Sequence, residues 1–437
     1  MRVLFAAHPT VGHTNALRSI GRRLRSRGHY VAFATTVART PKWLPLPEVM
    51  RTAAEIPAAL VRDGFELVPL APSLGSLYHA VQIPLSRGYR ELRHALAMFG
   101  HGMAGQARAL ARAIDSHRVD LVVGDYLLFA SYLAARLRAR PFAAVYHSAL
   151  PFPAAGRPPF GSGLPHDAPH DAAWVRAQHE FDALALEAAR VHERACHALG
   201  LSAPPPGFFA RPYSEDCNIL TTTRALEPGL QDLSGPVHFV GPCIDGRSEE
   251  GHHPVFDALS GSDTRVYVSM GTVFNTNRRV FEAILRGLDR PGVRVVVSAG
   301  ASFETLRRRP PSSNATFFAR VPQLRVLTEV DVVVGHGGNN STLETLAAGK
   351  PIIVVPFGGD QLENARRVEA LGTGIAVLPD ALTSGAIARA FDGLSPLRAR
   401  AREIGESLRG VDGIASTVEI LERLHESRGA SFGRGRS

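Results

Sequence analysis

The apolar positions of this chain fall into short runs apolar on both faces, separated by stretches of helical period. In the first half, RVLFAA (2–7) precedes a helical pattern over about 14–27, followed by YVAFATT (30–36) and FELVPLA (65–71). A long helical stretch, 88–115, leads to DLVVGD (120–125), a further helix, FAAVYHS (142–148), CNILTTT (217–223) and VHFVG (237–241). The second half repeats the scheme with RVYVSM (265–270), VRVVVSAG (293–300), ATFFARV (315–321), VDVVVG (330–335), PIIVVPF (351–357) and IAVLP (375–379). Alternation of this kind predicts parallel sheets with helices on both faces, here an α/β chain of two doubly wound, Rossmann-like domains. Ligands in that architecture sit beyond the carboxyl ends of the strands, so the expected site is a cleft that the two domains face.

With 437 residues the chain exceeds one ordinary core, and two domains of roughly 200 residues each are expected. The polar, turn-rich GPCIDGRSEEGHHPVFD (241–257) marks the junction. The expected bounds are 1–243 for the first domain, 244–260 for the linker and 261–427 for the second, whose last helix could pack back on the first. RGASFGRGRS (428–437) reads as a disordered tail. Segments 37–62, 72–90 and 149–175 interrupt the pattern, the middle one loop-like and all three mixing prolines with apolar and aromatic residues. Long loops in compact domains are commonly functional, and these are assigned to an apolar second substrate, with flexible surface insertions as the plain alternative.

Composition narrows the class. Hydrophobic residues make up 45% and charged residues 20%, an ordinary globular balance. No apolar run of about 18 residues occurs, and Met1 leads directly into a strand, so a cytoplasmic protein is expected. Cys196, Cys217 and Cys243 suit neither a disulfide framework nor a zinc site. The formal charge of +9 comes with no aromatic-basic module, and arginines spread along helices read as a solvated surface, not a nucleic-acid interface. Lys42 and Lys350 are the only lysines, a bias that fits a GC-rich bacterial genome.

The chemistry concentrates at turns after strands. VVVGHGGNNSTLE (332–344) is a glycine-rich turn leading into a helix, the kind of place where bare backbone N–H groups and a positive helix end hold phosphate. It lacks both the P-loop spacing and the dinucleotide fingerprint. There His336 can donate to a diphosphate, Gly337 and Gly338 permit close approach, and Asn340 and Ser341 add donors; Glu344, one turn on, can reach a diol such as that of ribose. SMGT (269–272) adds a second turn with Gly271 and the Thr272 hydroxyl, and PFGGDQLENA (356–365) brings Asp360 and Gln361, an acceptor-rich pair suited to sugar hydroxyls. In the first half His13 follows Gly12 at a helix start, where an imidazole with an ordinary pKa near 6.5 suits a general base. Asp125 ends its strand, where it either caps a turn or bonds the other ring nitrogen of His13.

The run VPQLRVLTEVDVVVGHGGNNSTLETLAAGKPIIVVPFGGDQLENARRVEALGTG (321–374) resembles the nucleotide-sugar signature of the family 1 glycosyltransferases, which include bacterial macrolide and antibiotic glycosyltransferases of GT-B fold. GHTNALRSIGRRLRSRGH (12–29) resembles the amino-terminal motif of the same family, so the likeness extends over most of the chain. It implies that Val321 and Gln323 hold uracil and ribose, that Thr272, His336, Asn340 and Ser341 contact the diphosphate, that Glu344 takes the ribose and that Asp360 and Gln361 take the sugar. It also implies a His13–Asp125 dyad. Two positions depart from the family pattern: Val321 stands where plant members have a tryptophan nearby to stack the base, and Ala16 where a proline is frequent.

The resulting expectation is an inverting transfer of a hexose from a UDP-sugar, with UDP-glucose preferred, to a hydroxyl of a large lipophilic acceptor. A dTDP-deoxysugar transferase and a UDP-N-acetylglucosamine 2-epimerase are the alternatives, with an idle binding protein and a membrane-associated lipid glycosyltransferase behind them. No metal and no cofactor beyond the sugar nucleotide are expected, since the chain contains no Asp-x-Asp segment and HDAPHD (166–171) lies in a proline-rich loop. His147 is read as lining the acceptor side or as a structural histidine, and His8 likewise.

Overall fold

The computed structural model describes the chain apart from residues 38–47, 155, 203–210, 231–232, 247–250, 262–263, 272–276 and 434–437. The first seven strands are β1 (Arg2–Ala7), β2 (Tyr30–Thr36), β3 (Glu66–Leu70), β4 (Leu121–Asp125), β5 (Phe142–Tyr146), β6 (Cys217–Leu220) and β7 (Val237–Phe239). They form one sheet in the order β3-β2-β1-β4-β5-β6-β7, every described pair parallel. The remaining six are β8 (Thr264–Ser269), β9 (Val293–Ser298), β10 (Ala315–Phe318), β11 (Val332–Gly335), β12 (Ile352–Val354) and β13 (Gly374–Ala376). These make a second parallel sheet, β10-β9-β8-β11-β12-β13.

Each sheet has an apolar layer on both faces because its strands alternate between two cores. Leu4 and Ala6 enter one core of the first sheet, and Val3, Phe5 and Ala7 enter the other. In the second sheet Val332 and Val334 face one core and Val333 the other. Period-two alternation with both faces buried is what parallel strands covered by helices require. The strands read from the sequence are all found, β1 and β2 with the same ends and the others with at least one end shifted by a residue or more.

Two compact units divide the chain. The first holds Met1–Ser162, Pro169–Ile244 and Asp412–Ser437; the second holds Gly163–Ala168 and Asp245–Val411. The last helix, Gly413–Gly433, belongs to the first unit because Ile414, Val418 and Leu421 join Val3, Leu17 and Ile20 in one core. Residues 428–433, expected as tail, continue this helix, since extending a docked helix fixes one residue per added hydrogen bond; 434–437 lie outside the described residues.

The interrupting segments differ from expectation in informative ways. The stretch read as a loop over 72–90 is a helix, Leu74–Gln82, followed by a 3-10 turn, Ile83–Leu85. Ser73 caps it by accepting from the Ser76 N–H at 3.0 Å, and the prolines that suggested a loop stand just before the cap and just after the last helical turn, where they break nothing. The long stretch near 88–115 is two helices, Tyr89–Gly100 and Met103–Ser116, parted at Gly102, whose φ of 74° is left-handed. Of the first insertion, 38–47 lies outside the described residues and 48–62 is the helix Glu48–Arg62. Among its described residues the third insertion carries no helix or strand before the helix Ala172–Ala198, yet its Phe152 and Phe160 are buried in the first unit's core. Among the described residues no helix is long and apolar enough to cross a membrane.

Because Leu421 is fully buried against β1 and the first helix, Leu421→Ala is expected to destabilise the first unit by about 2–4 kcal/mol. Guanidinium unfolding followed by far-UV circular dichroism would show the lowered midpoint; an unchanged midpoint would mean that the last helix contributes nothing to that core.

Candidate active site

Strand order reverses between β1 and β4 in the first sheet, and chains leaving adjacent strands in opposite directions open a crevice at their carboxyl ends. Asp125, the last residue of β4, sits there with no exposed surface. Its Oδ2 lies 2.7 Å from His13 Nδ1 and accepts from the His8 backbone N–H at 3.3 Å. Its Oδ1 lies 3.0 Å from His147 Nε2 and accepts from the Leu127 N–H at 3.0 Å. Burial alone would raise the Asp125 carboxyl, but the charge and hydrogen bonds of His13 and His147 hold it well below the usual carboxylate range. The group is therefore an ionised carboxylate, which only accepts, so both imidazoles donate to it. His13 is fixed as the tautomer that carries its proton on Nδ1, leaving the Nε2 lone pair for a base.

His13 comes from the first turn of the helix Val11–Ser26 and its side chain is 23% exposed. Phe99 stacks beside it with ring centroids 5.9 Å apart. His8 lies 5.7 Å from the His13 ring and edge-on to Phe99 at 4.9 Å; burial and the neighbouring His13, opposed by Asp125, bring it down to about 3, so it is a neutral neighbour. His147 follows β5 and is only 3% exposed, so the ring expected to line the acceptor side has almost no surface to offer a ligand. His13, Asp125 and His147 are also the group, among the described residues, whose donor atoms lie close enough to hold a metal ion, all within 4.8 Å. Two hydrogen bonds to one buried carboxylate already account for that closeness.

The second sheet reverses between β8 and β11, and the phosphate-type features gather at those two ends. His336 leaves β11 and stands between Gly271 and Gly338: a Cβ on either glycine would come within 2.5 Å of the imidazole. Gly271 also has a φ of 68°, so glycine is needed there for conformation as well as space. Burial lowers His336 to about 4, the Ser269 backbone opposing, so it is a neutral ring at neutral pH. Gly338 caps the helix Asn339–Ala347, which places Asn340 and Ser341 in its first turn. Thr272 lies outside the described residues.

Gln323 opens the helix Gln323–Glu329, directly after the partly buried Val321 and the buried Pro322. Tyr267 Oη donates to Gln323 Oε1 at 3.0 Å, which turns the amide nitrogen toward Ser341 Oγ at 3.2 Å and Glu344 Oε2 at 2.5 Å. Asp360 and Gln361 begin the helix Gln361–Ala370. Gln361 Oε1 accepts from the Phe357 N–H at 2.9 Å, so this residue offers a ligand N–H donors; the pair is one acceptor and one donor, not two acceptors as its residue types suggested.

A layer behind this turn was not legible in the sequence. Arg367, 3% exposed, donates to Asn339 Oδ1 at 2.6 Å and to Asn364 Oδ1, and Asn364 Nδ2 donates to the Gly337 carbonyl at 2.7 Å. A buried guanidinium thus braces the turn through two asparagines. The period of NARRV does place Asn364 and Arg367 on one helix side, a signal that becomes specific only once Asn339 is seen to meet them. A separate cavity of about 390 Å³, lined by Phe256, Arg265, Arg325 and Glu329 among others, shares no residue with either cluster.

Two doubly wound units, each with polar residues gathered at its own topological switch point, define a protein of GT-B architecture. Residues 246–395 match the family described as UDP-glucoronosyl and UDP-glucosyl transferase. An uncharacterized UDP-glucosyltransferase of Bacillus subtilis, YojK, is 31% identical over 215 residues, 48% of this chain and 53% of that protein, so the chain spans about half the length of this relative. 4'-demethylrebeccamycin synthase of Lentzea aerocolonigenes is 26% identical over 440 residues, 97% of this chain and 99% of that one. The crystal structure of the calicheamicin glycosyltransferase CalG4 matches with a TM-score of 0.73 at 20% identity, covering 97% and 98% of the two chains. The matched residues 246–395 contain the run 321–374 whose motifs implied this likeness.

The buried histidines make stability depend on pH. His192, 8% exposed and stacked on Phe129 at 3.9 Å, is pushed by burial down to about 3, and His336 to about 4. Both lie below the ordinary value near 6.5, so the unfolded chain binds more protons; stability is full above about pH 6.5 and falls as pH drops toward 4. Each ring contributes a slope of up to about 1.4 kcal/mol per pH unit in that window. Asp125, depressed likewise but from an ordinary carboxylate value, adds its loss only as pH falls through and below the ordinary carboxylate range. Urea unfolding at pH 7.5, 6 and 5 should show the decline, and His192→Phe should flatten it; a pH-independent midpoint across that range would overturn the assignment.

Proposed function

We propose that the protein is an inverting glycosyltransferase that moves a hexose, glucose from UDP-glucose, to a hydroxyl of a large apolar natural product. The observation that carries this reading is His13 held through Nδ1 on buried Asp125, in a chain whose second unit has a donor-lined turn at its own switch point. His13 Nε2 takes the proton from the acceptor hydroxyl as that oxygen forms its bond to the anomeric carbon. The bond from that carbon to the diphosphate oxygen breaks, its electron pair leaves on UDP, and attack from the opposite face inverts the centre. Asp125 stabilises the imidazolium as it forms.

Charge that develops on the leaving diphosphate is met by the His336 ring, Ser341, Asn340 and the N–H groups at the start of Asn339–Ala347. A neutral His336 serves as a donor there. The proposed chemistry uses no metal. Glu344, oriented by Gln323, takes ribose hydroxyls; Asp360 accepts from sugar hydroxyls while Gln361 donates to one. The acceptor side is assigned to the first unit, where Leu74, Tyr78, Val81 and Leu85 stand exposed.

A second reading, a dTDP-sugar donor, is favoured by one observation. Glu344 Oε2 already accepts from Gln323 Nε2, which suits a sugar with one hydroxyl for this carboxylate better than a full diol. Titration calorimetry with UDP-glucose, dTDP-glucose and UDP-N-acetylglucosamine separates the donors. Tightest binding of UDP-glucose supports the first reading, of dTDP-glucose the second, and of UDP-N-acetylglucosamine an isomerase in place of both.

His13→Ala should keep donor affinity within about twofold and lower transfer by roughly 10²–10⁴-fold. Parallel loss of binding and turnover would remove His13 from the role of base. Asp360→Ala should weaken the sugar nucleotide by roughly tenfold or more and the free nucleoside diphosphate hardly at all. An equal loss for both ligands would place Asp360 away from the sugar.

A further inference from the structure

We infer that His147 is a positioning residue of this site, a second imidazole that holds Asp125 in one orientation and draws charge from it, and so sets how firmly His13 keeps a proton. The inference deepens the proposed function and rests on His13 being its base. A carboxylate anchored through one oxygen can swing about its last torsion. Here both oxygens are held, Oδ2 by His13 Nδ1 and the His8 N–H, Oδ1 by His147 Nε2 and the Leu127 N–H. The plane of the group, and with it the direction from which His13 is held, is fixed from both sides.

The packing of His147 supports this role over contact with an acceptor. Its side chain is 2% exposed, it meets Tyr126 edge-on at 5.7 Å, and its ring lies 4.6 Å from that of His13 at an interplanar angle of 57°. Three adjacent strands of the sheet therefore contribute: β1 leads into the helix whose first turn gives His13, the end of β4 gives Asp125 and the residue after β5 gives His147. The titratable groups around the pair are His8, held neutral beside His13, Tyr126 beside His147, and Tyr213, whose hydroxyl donates to the Tyr126 carbonyl at 3.2 Å. Tyr146, stacked on Tyr126, is raised out of the physiological range by burial.

The sign of the effect follows from the hydrogen bond. An imidazole that donates to Oδ1 lowers the basicity of the carboxylate as seen from Oδ2. Protonated His13 is then stabilised less than it would be by an aspartate with a single partner, and gives its proton up more readily at the end of each cycle. Removing the donor should move the titration of His13 to higher pH, by roughly half to one pH unit, whereas a glutamine that still donates should leave it in place.

Histidine-selective ¹⁵N labelling of the full chain, read by long-range ¹H–¹⁵N spectra, tests this without any substrate. His147→Gln and His13→Ala assign the two rings. The wild-type protein should show His147 protonated on Nε2 and bare on Nδ1; the opposite tautomer cannot donate to Asp125 and overturns the proposal even if every variant misfolds. The His13 midpoint should rise in His147→Leu and stay at the wild-type value in His147→Gln, and equal midpoints in all three proteins would also overturn it. Transfer by His13→Ala is judged separately: wild-type turnover there sinks the role of His13 as base, while the tautomer and the midpoints still decide whether His147 acts on Asp125.

Discussion

The first unit is organised around a negative charge kept out of water. An ionised carboxylate in a protein interior costs several kcal/mol unless donors replace the water it loses, and Asp125, with no exposed surface, is met by two imidazoles and two backbone N–H groups. Taking away any one donor leaves part of that cost uncompensated, so the four are mutually dependent. The reversal of strand order makes the arrangement possible. Chains leaving β1 and β4 diverge, and the gap lets residues 112 apart in sequence meet at 2.7 Å.

The second unit applies the same topology to the opposite sign of charge. Its switch point gathers a helix start, a glycine-flanked neutral imidazole and, behind them, the buried Arg367. Arg367 reaches the turn through Asn339 and Asn364, so a positive charge sits behind it without a side chain occupying the place of a ligand. Neutrality at His336 has its own logic. A charged ring would add attraction for an anion but would have to be desolvated in the interior, whereas a neutral ring offers a donor at no such cost.

These two switch points were legible in the sequence because the strands that deliver them are apolar on both faces and end in residues no core would choose. DLVVGD and VVVGHGG announce their polar ends even without a partner in view. What the sequence could not show was orientation. That His147 turns inward to Asp125, and that Tyr267 sets the amide of Gln323 and Phe357 that of Gln361, depends on side chains brought together only by folding. Reading residues 72–90 as a loop failed for a different reason. Proline is a break inside a helix but a boundary marker next to one, and Pro72 and Pro84 lie on the permissive sides of Leu74–Gln82.

That helix also changes where apolar surface in the first unit comes from. The proline-rich insertion seemed the natural source, yet Phe152, Phe160 and Trp174 are buried and stabilise the unit itself. Leu74, Tyr78, Val81 and Leu85 are exposed instead, at 87%, 59%, 38% and 74%, spaced by four, three and four residues. Such spacing puts Leu74, Tyr78 and Val81 on one side of the helix, with Leu85 in the 3-10 turn that follows, whereas an extended loop would scatter them. A surface of that kind is costly in water and is kept where something apolar covers it for part of the time. The sequence carried the right composition for an apolar partner, and the helix gives it direction.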